Sequence, residues 1–146
     1  MKIRVMNIED YEQVYSLWLT TPNMGLNNID DSKEGIQKYL LRNPNTCFVA
    51  EQDGKLVGVI LSGHDGRRGY IHHTAVSQNY QRNGIGAGLV NTAMSALEQE
   101  GVTKVALVVF EKNESGNLFW ADIGFTVRND LVYRNKAITN LIRYDT

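Results

Sequence analysis

The sequence predicts an α/β (α+β) fold, a mixed, mainly antiparallel sheet of six or seven strands flanked by four helices. Three observations carry this. Two turn signals, Asp53-Gly54 and His64-Asp65-Gly66, join three consecutive β-rich runs, so neighbouring strands there pair antiparallel. A glycine-rich stretch, YQRNGIGAGLV from Tyr80 to Val90, then leads from strand into a long helical pattern. After that helix, the near-continuous aliphatic run of residues 104–110 reads as a buried strand in a parallel pairing.

Taken in order, Ile3 and Val5 alternate with Lys2 and Arg4, which predicts a first strand over residues 2–6. Asn7, with Asp10 three positions later, supplies a cap for a helix over 8–19. Thr21-Pro22-Asn23 and Gly25 end that helix, and the polar segment 26–31 leads to a second cap, with Asp31 as the capping side chain. A short second helix closes near Arg42, before Pro44. Strands follow over 47–51, 56–61 and 70–76. Ile85, Leu89, Ala93, Ala96 and Leu97 keep helical spacing over 84–99, with Gly101 as the stop. A last helix covers 113–123, and residues from Phe125 onward give one or two closing strands, of which 138–144 is the clearer.

The bulk composition narrows the function. With 42% hydrophobic and 21% charged residues among 146, the chain has the makeup of one soluble globular domain spanning 1–146. A net charge of −1 argues against a broad electrostatic grip on nucleic acid or on an anionic membrane. The N-terminal MKIRVMNIEDYEQ lacks a signal-peptide apolar region, and no apolar run approaches the length of a membrane span. A lone cysteine, Cys47, can form neither an internal disulfide nor a multi-cysteine metal site, so a reducing cytoplasm is the expected location.

Strand, glycine loop, helix, strand is the order in which backbone N–H groups at a helix N-terminus converge on an anion, with phosphate the natural ligand. Gly84 and Gly86 remove side chains that would hold a pyrophosphate off the backbone, while Gln81, Arg82 and Asn83 can add donors. Close packing of helix on sheet is the competing reason for those glycines. A dinucleotide fingerprint would need glycine at Leu89, and a P-loop would need Gly-Lys-Ser/Thr; neither is present.

Gln81-Arg82-Asn83-Gly84-Ile85-Gly86 resembles the Q/R-x-x-G-x-G/A acyl-CoA loop of the GNAT superfamily of N-acyltransferases. Thr74-Ala75-Val76 resembles the end of that family's fourth strand, and Asn113-Glu114-Ser115-Gly116 with Phe119-Trp120 and Gly124-Phe125 resembles its second coenzyme-contacting motif. The likeness runs over roughly residues 1–146. It implies a sheet splayed between the fourth and fifth strands, with the pantetheine arm of acetyl-CoA in the gap. Gln81, Arg82, Asn83, Gly84, Ile85, Gly86 and Ala87 would hold the pyrophosphate. Thr74, Ala75 and Val76 would line the arm, the Val76 N–H facing the thioester oxygen. Asn113 would bond pantetheine, and Phe119 and Trp120 would lie near it. The resemblance further implies an acetyl-CoA-dependent N-acetyltransferase acting on a primary amine of a small molecule or protein by direct attack in a ternary complex. No metal, nucleic acid or membrane partner is expected, in line with the charge and residue spacing, and a homodimer is compatible with the resemblance because dimers are common among the proteins the chain resembles.

A neutral amine is needed for attack, and deprotonating a lysine-like amine at pH 7 costs about 4.6 kcal/mol. His72 is the expected base, its imidazole being matched to neutral pH. Strand alternation places Tyr70, His72 and Thr74 on one face and Ile71, His73 and Ala75 on the other unless a bulge intervenes; side chains pointing apart argue against a metal site at the pair. Many family members have a tyrosine, acting as acid toward the departing thiolate, where this chain has Trp120, whose indole cannot play that part. Tyr133 is the substitute expected from the resemblance. A coenzyme-binding regulatory module without turnover is the alternative that the tryptophan suggests. Asn27, Asn28, Asp30 and Asp31 are candidates to attract a cationic acceptor, and Arg67 and Arg68 to meet an acidic one.

Overall fold

Five strands make one sheet in the order β1-β2-β3-β4-β5: Lys2–Val5 (β1), Phe48–Gln52 (β2), Lys55–His64 (β3), Gly69–Val76 (β4) and Val105–Ala106 (β5). The first three pairings are antiparallel and β4–β5 is parallel, as the hairpin signals and the aliphatic run predict. The structure, a computed structural model, describes residues 1–144.

Four α-helices flank the sheet: Tyr11–Leu19 (α1), Lys33–Arg42 (α2), Ile85–Gln99 (α3) and Glu114–Asp122 (α4). The helix expected over 8–19 is divided, because its first turn, Ile8–Asp10, is a tighter 3-10 turn. Asn7 caps that turn, and the Asp10 carboxylate accepts from the Asn7 N–H. Asp10 also takes a two-pronged bond from Arg4, at 2.7 and 2.9 Å, so β1 and α1 are joined through a nearly buried carboxylate. The cap of α2 is Ser32, whose hydroxyl accepts from the Gly35 N–H at 3.1 Å; Asp31, expected in that role, is engaged elsewhere.

Both faces of the sheet are covered, so the central strand β3 is buried from Val57 through Gly63 without alternation. On one face Val14, Leu17 and Trp18 of α1 and Ile36 and Leu40 of α2 pack against Val49, Val59 and Leu61. On the other, Ile85, Leu89 and Ala93 of α3 meet Ala50, Val57, Ile60 and Ile71. Helix α3 sits so close that a Cβ at Gly58 would lie 2.9 Å from the Leu89 side chain. Truncating Leu89 to alanine would cost about 2–5 kcal/mol.

The sheet is shorter than the six or seven strands expected. The run 104–110 forms a ladder only at Val105 and Ala106, and beyond it Leu107, Val109 and Phe110 are half-buried and Val108 is exposed. No strand forms over 125–144: the predicted closing segment makes one bridge, Asn27 with Arg143, and hydrogen bonds that tie residues 142–144 to the α1–α2 loop. A two-residue β5 offers too short an edge for further strands to pair with. Among the described residues no helix is long and apolar enough to cross a membrane.

Candidate active site

Strand β4 positions the site, and a bulge within it decides the geometry. Val59 pairs with Ala75 but Leu61 with His72, so one extra residue of β4 is taken up at His73 and Thr74. His73 adopts a left-handed φ of 41°, unusual for a side-chain-bearing residue. The bulge overrides alternation and brings both imidazoles to the face of α1 and α2. The His72 ring lies 5.6 Å from Tyr39 of α2, the His73 ring 5.1 Å from Trp18 of α1, and the two imidazoles are 6.2 Å apart.

His73 is firmly held. Its Nε2 lies 2.8 Å from Oδ1 of Asp31, a carboxylate only 3% exposed, and its carbonyl, turned out of the ladder by the bulge, accepts from the Trp18 indole at 3.1 Å. The second Asp31 oxygen accepts from the Asn27 N–H at 2.8 Å, and the Asp31 carbonyl accepts from the Tyr11 hydroxyl. Burial, then the neighbouring Tyr15, pushes that hydroxyl up to about 12.

His72 is less constrained. It stacks at 4.6 Å on Tyr70 and presents an exposed edge to solvent. Desolvation by the surrounding rings, and secondly His73, push its pKa down to about 4 against the opposing pull of Asp31 and Asp30. The exposed edge leaves water to soften that shift, but its direction makes the imidazole neutral at pH 7.

The β4–β5 ladder covers only Gly69 and Tyr70 of β4. The Ser77 N–H donates to the Val57 carbonyl, so by the antiparallel alternation Val76 turns its N–H away from β3, toward the side where β5 has departed. Ala75 faces the opposite way and is 4% exposed within the α1-side core. The Thr74 hydroxyl is buried without a hydrogen-bond partner, the kind of orphan that marks a place for a ligand or water.

The glycine loop closes this opened edge. The first-turn N–H groups of α3 lack intrahelical partners, and Gly84, the N-cap, offers no side chain in their place. Gly84 has φ of 80°, with no atom within 4 Å of where a Cβ would be, so its conformation needs glycine and its surface is free. Gly86 is different, since a Cβ there would meet the Phe119 ring at 3.2 Å. Of the two readings of these glycines, the open cradle therefore fits Gly84 and close packing fits Gly86. The Gln81 amide donates to the Val76 carbonyl at 3.1 Å, bracing the loop, while Arg82 and Asn83 are exposed beside it. Ile85 is buried beneath the loop and Ala87 is half-buried.

Asn113 caps α4, its Oδ1 accepting from the Gly116 N–H at 3.0 Å, which leaves its amide nitrogen for other partners. Trp120 packs edge-on between Phe119 and Phe125, at 5.0 and 5.2 Å. Tyr133 is 67% exposed, near enough to Tyr70 to add to the upward shift that burial gives the Tyr70 hydroxyl. Asn27, Asn28 and Asp31 all bond within the protein, so of the four polar loop residues only Asp30 remains at the surface with a free carboxylate oxygen. Cys47 is buried, its thiol pushed up to about 12 by desolvation. Among the described residues no group of three or more His, Cys, Asp or Glu could hold a metal ion.

The chain matches the model of the acetyltransferase (GNAT) family over residues 11–125. The chain belongs to the GNAT family. As a GNAT acetyltransferase it is 32% identical over 119 residues to an acetyltransferase of Photorhabdus laumondii, 79% of either chain being covered. Its fold is also that of Ard1 from Thermoplasma volcanium, with a TM-score of 0.77, 23% identity, and coverage of 87% of this chain and 83% of that one. A PaiA N-acetyltransferase from Thermoplasma acidophilum, in complex with coenzyme A, superposes with a TM-score of 0.73 at 18% identity, covering 97% and 96%. Missing from the sequence reading of this GNAT chain were the Asp31–His73 contact and the enclosure of His72 by Tyr39 and Tyr70. Position 31 lies 42 residues from its partner, and no local pattern signals such a pair.

Proposed function

We propose that residues 1–146 act as one domain that transfers an acetyl group from acetyl-CoA to a primary amine by direct attack within a ternary complex. The observation that carries the reading is the uncapped N-terminus of α3, with its open Gly84, beside the unpaired edge of β4. Family membership and the coenzyme in the PaiA structure support it.

The residues present fit the coenzyme. Backbone N–H groups of Gly84, Ile85, Gly86 and Ala87 would bind the pyrophosphate, with Arg82 and Asn83 adding donors at its rim. Thr74 and Val76 would meet the pantetheine arm through the orphan hydroxyl and the outward N–H. Bound there, acetyl-CoA supplies an acetyl thioester open to attack by an amine. His72, neutral at pH 7, takes a proton from the incoming ammonium, directly or through water at its exposed edge. The lowered pKa makes this imidazole a weaker base than a free histidine, so the transfer is uphill and depends on the proton being passed on to solvent at the exposed edge. Tyr133, beside Tyr70, is the hydroxyl available to the departing thiol, a group that needs little help because its pKa is about 8.5. A buried, protonated Cys47 supports direct transfer over an acyl-enzyme route.

The test is thiol release from acetyl-CoA across a panel of amines, with the acetylated product weighed by mass spectrometry. No release above background from folded protein that still binds acetyl-CoA would leave a binding module and end the enzyme reading.

A further inference from the structure

We propose that the acceptor carries an anionic group, a carboxylate on an amine of about amino-acid size, and that Arg42 and Arg68 recognise it. This rests on the acetyltransferase reading above. A cavity of about 280 Å³ opens beside His72, between the C-terminal end of α2, the β3–β4 turn and the start of β4. Tyr39, Tyr70, His72, Arg42, Arg68 and Asp65 are among its walls. Followed back from the N-terminus of α3, strand β4 presents first its open edge at Val76, then the bulge, then His72, and finally Tyr70 at this cavity. The cavity thus lies beyond the base from the phosphate-binding end, where a second substrate must enter.

Two guanidiniums face one carboxylate among the cavity walls, which leaves them net positive. Asp65 keeps its charge, its Oδ1 accepting from the backbone N–H groups of Arg67 and Arg68 at 2.8 Å each. His64 is occupied by Glu100 at 2.8 Å through one ring nitrogen and by the Gly66 N–H through the other. Arg68 spends only one weak bond, 3.3 Å to the Thr103 hydroxyl, and Arg42 makes no side-chain hydrogen bond or ion pair among the described residues. A favourable interaction with the end of the α2 dipole accounts for one arginine in the last turn, yet not for a second guanidinium from the β3–β4 turn facing the same space. A planar guanidinium fork is matched to carboxylate geometry. Exposed Asp30, outside the cavity lining, acts with Asp31 on His72 electrostatically and favours an ammonium near the imidazole. The site is therefore polarised, with two exposed guanidiniums on the cavity wall and Asp30 acting on His72 from outside that wall, and a zwitterion fits that arrangement. The volume is just under the usual range for drug-sized ligands, which suits an amino acid.

The experiment compares kcat/KM at saturating acetyl-CoA for amino acids and their decarboxylated amines, in the parent and in R42Q and R68Q. The acidic amine should be favoured about tenfold or more, and each variant should raise its KM by about tenfold, with kcat and the melting temperature unchanged. The preference should shrink as salt is added. Equal or better use of the decarboxylated amines, or variants that impair both classes alike, would overturn the inference while leaving the acetyltransferase intact. Failure to acetylate any amine despite retained acetyl-CoA binding would remove the enzyme reading and this inference together.

Discussion

His73 and Asp31 meet at 2.8 Å across 42 positions of chain, and that contact fastens the α1–α2 loop to the bulge of β4. The loop carries Leu26, Asn27 and Asn28, to which Tyr144, Arg143 and Ile142 are tied in turn, so one ion-pair-capable contact links three distant segments. Asp31→Ala leaves the imidazole and the Asn27 N–H without their acceptor, and should destabilise the fold by about 1–3 kcal/mol in urea denaturation. A change below about 0.5 kcal/mol, the range of ordinary surface substitutions, would show that the contact does not hold the loop.

His72→Ala should lower kcat about a hundredfold and leave the affinity for acetyl-CoA unaltered by calorimetry. A loss under about threefold would take His72 out of the role of base.

The same residue makes a prediction about pH and stability. Its folded pKa is pushed down, to about 4, from an unfolded value near 6.5. Between those values the unfolded chain binds more protons than the native one, so stability rises with pH there and is lost as pH falls from about 6.5 toward 4. Thermal melts of His72→Asn should be flatter than those of the parent over this window. Identical slopes would mean that the ring is as well solvated in the folded chain as in the unfolded one.

Gly84 and Gly86 should respond differently to alanine. Gly84→Ala strains a left-handed residue by about 1–2 kcal/mol and places a methyl group in the open cradle, so coenzyme affinity should fall with the packing of α4 intact. Gly86→Ala instead pushes on Phe119, and should first disturb the near-ultraviolet signal of Trp120 against Phe119. Equal effects of both variants on coenzyme binding, with no change in that signal, would contradict the division of labour.

Asp10 governs the acid limb of stability. Burial alone would raise its pKa, but hydrogen bonds from Arg4 and then from the Asn7 N–H outweigh that and hold the carboxylate below its ordinary range. Its contribution is present above the unfolded value near 3.9 and is lost as pH falls through the lower folded value. Asp10→Asn should therefore narrow the stability gap to the parent at the acid end, as followed by urea midpoints between pH 7 and 2.

Much of this protein is legible in local patterns because local physics makes it. Asp53-Gly54 turns a hairpin by its own backbone preferences, Asn7 and Asp10 satisfy each other within one turn, and Gly84 stands at an N-terminus that no side chain caps. The antiparallel order, the parallel fifth strand and the family itself follow from such signals. Where residues from distant segments compete for one place, the pattern misleads. Asp31 reads as a cap but is drawn to His73, leaving Ser32 to cap α2, and the aliphatic run 104–110 yields only two paired residues because its ladder with β4 ends at Tyr70, ahead of the bulge.

The sequence by itself determined the fold class and the glycine loop ahead of α3, since hydrophobic period, turn residues and helix caps act over a few neighbouring positions. Only the tertiary structure decided how the site is assembled: which imidazole is fixed and which is free, that both share a face, and that two arginines look into the space beside them. The reason is the bulge at His73, whose cost is met by contacts with Trp18 and Asp31 that exist only once α1, its following loop and β4 have come together.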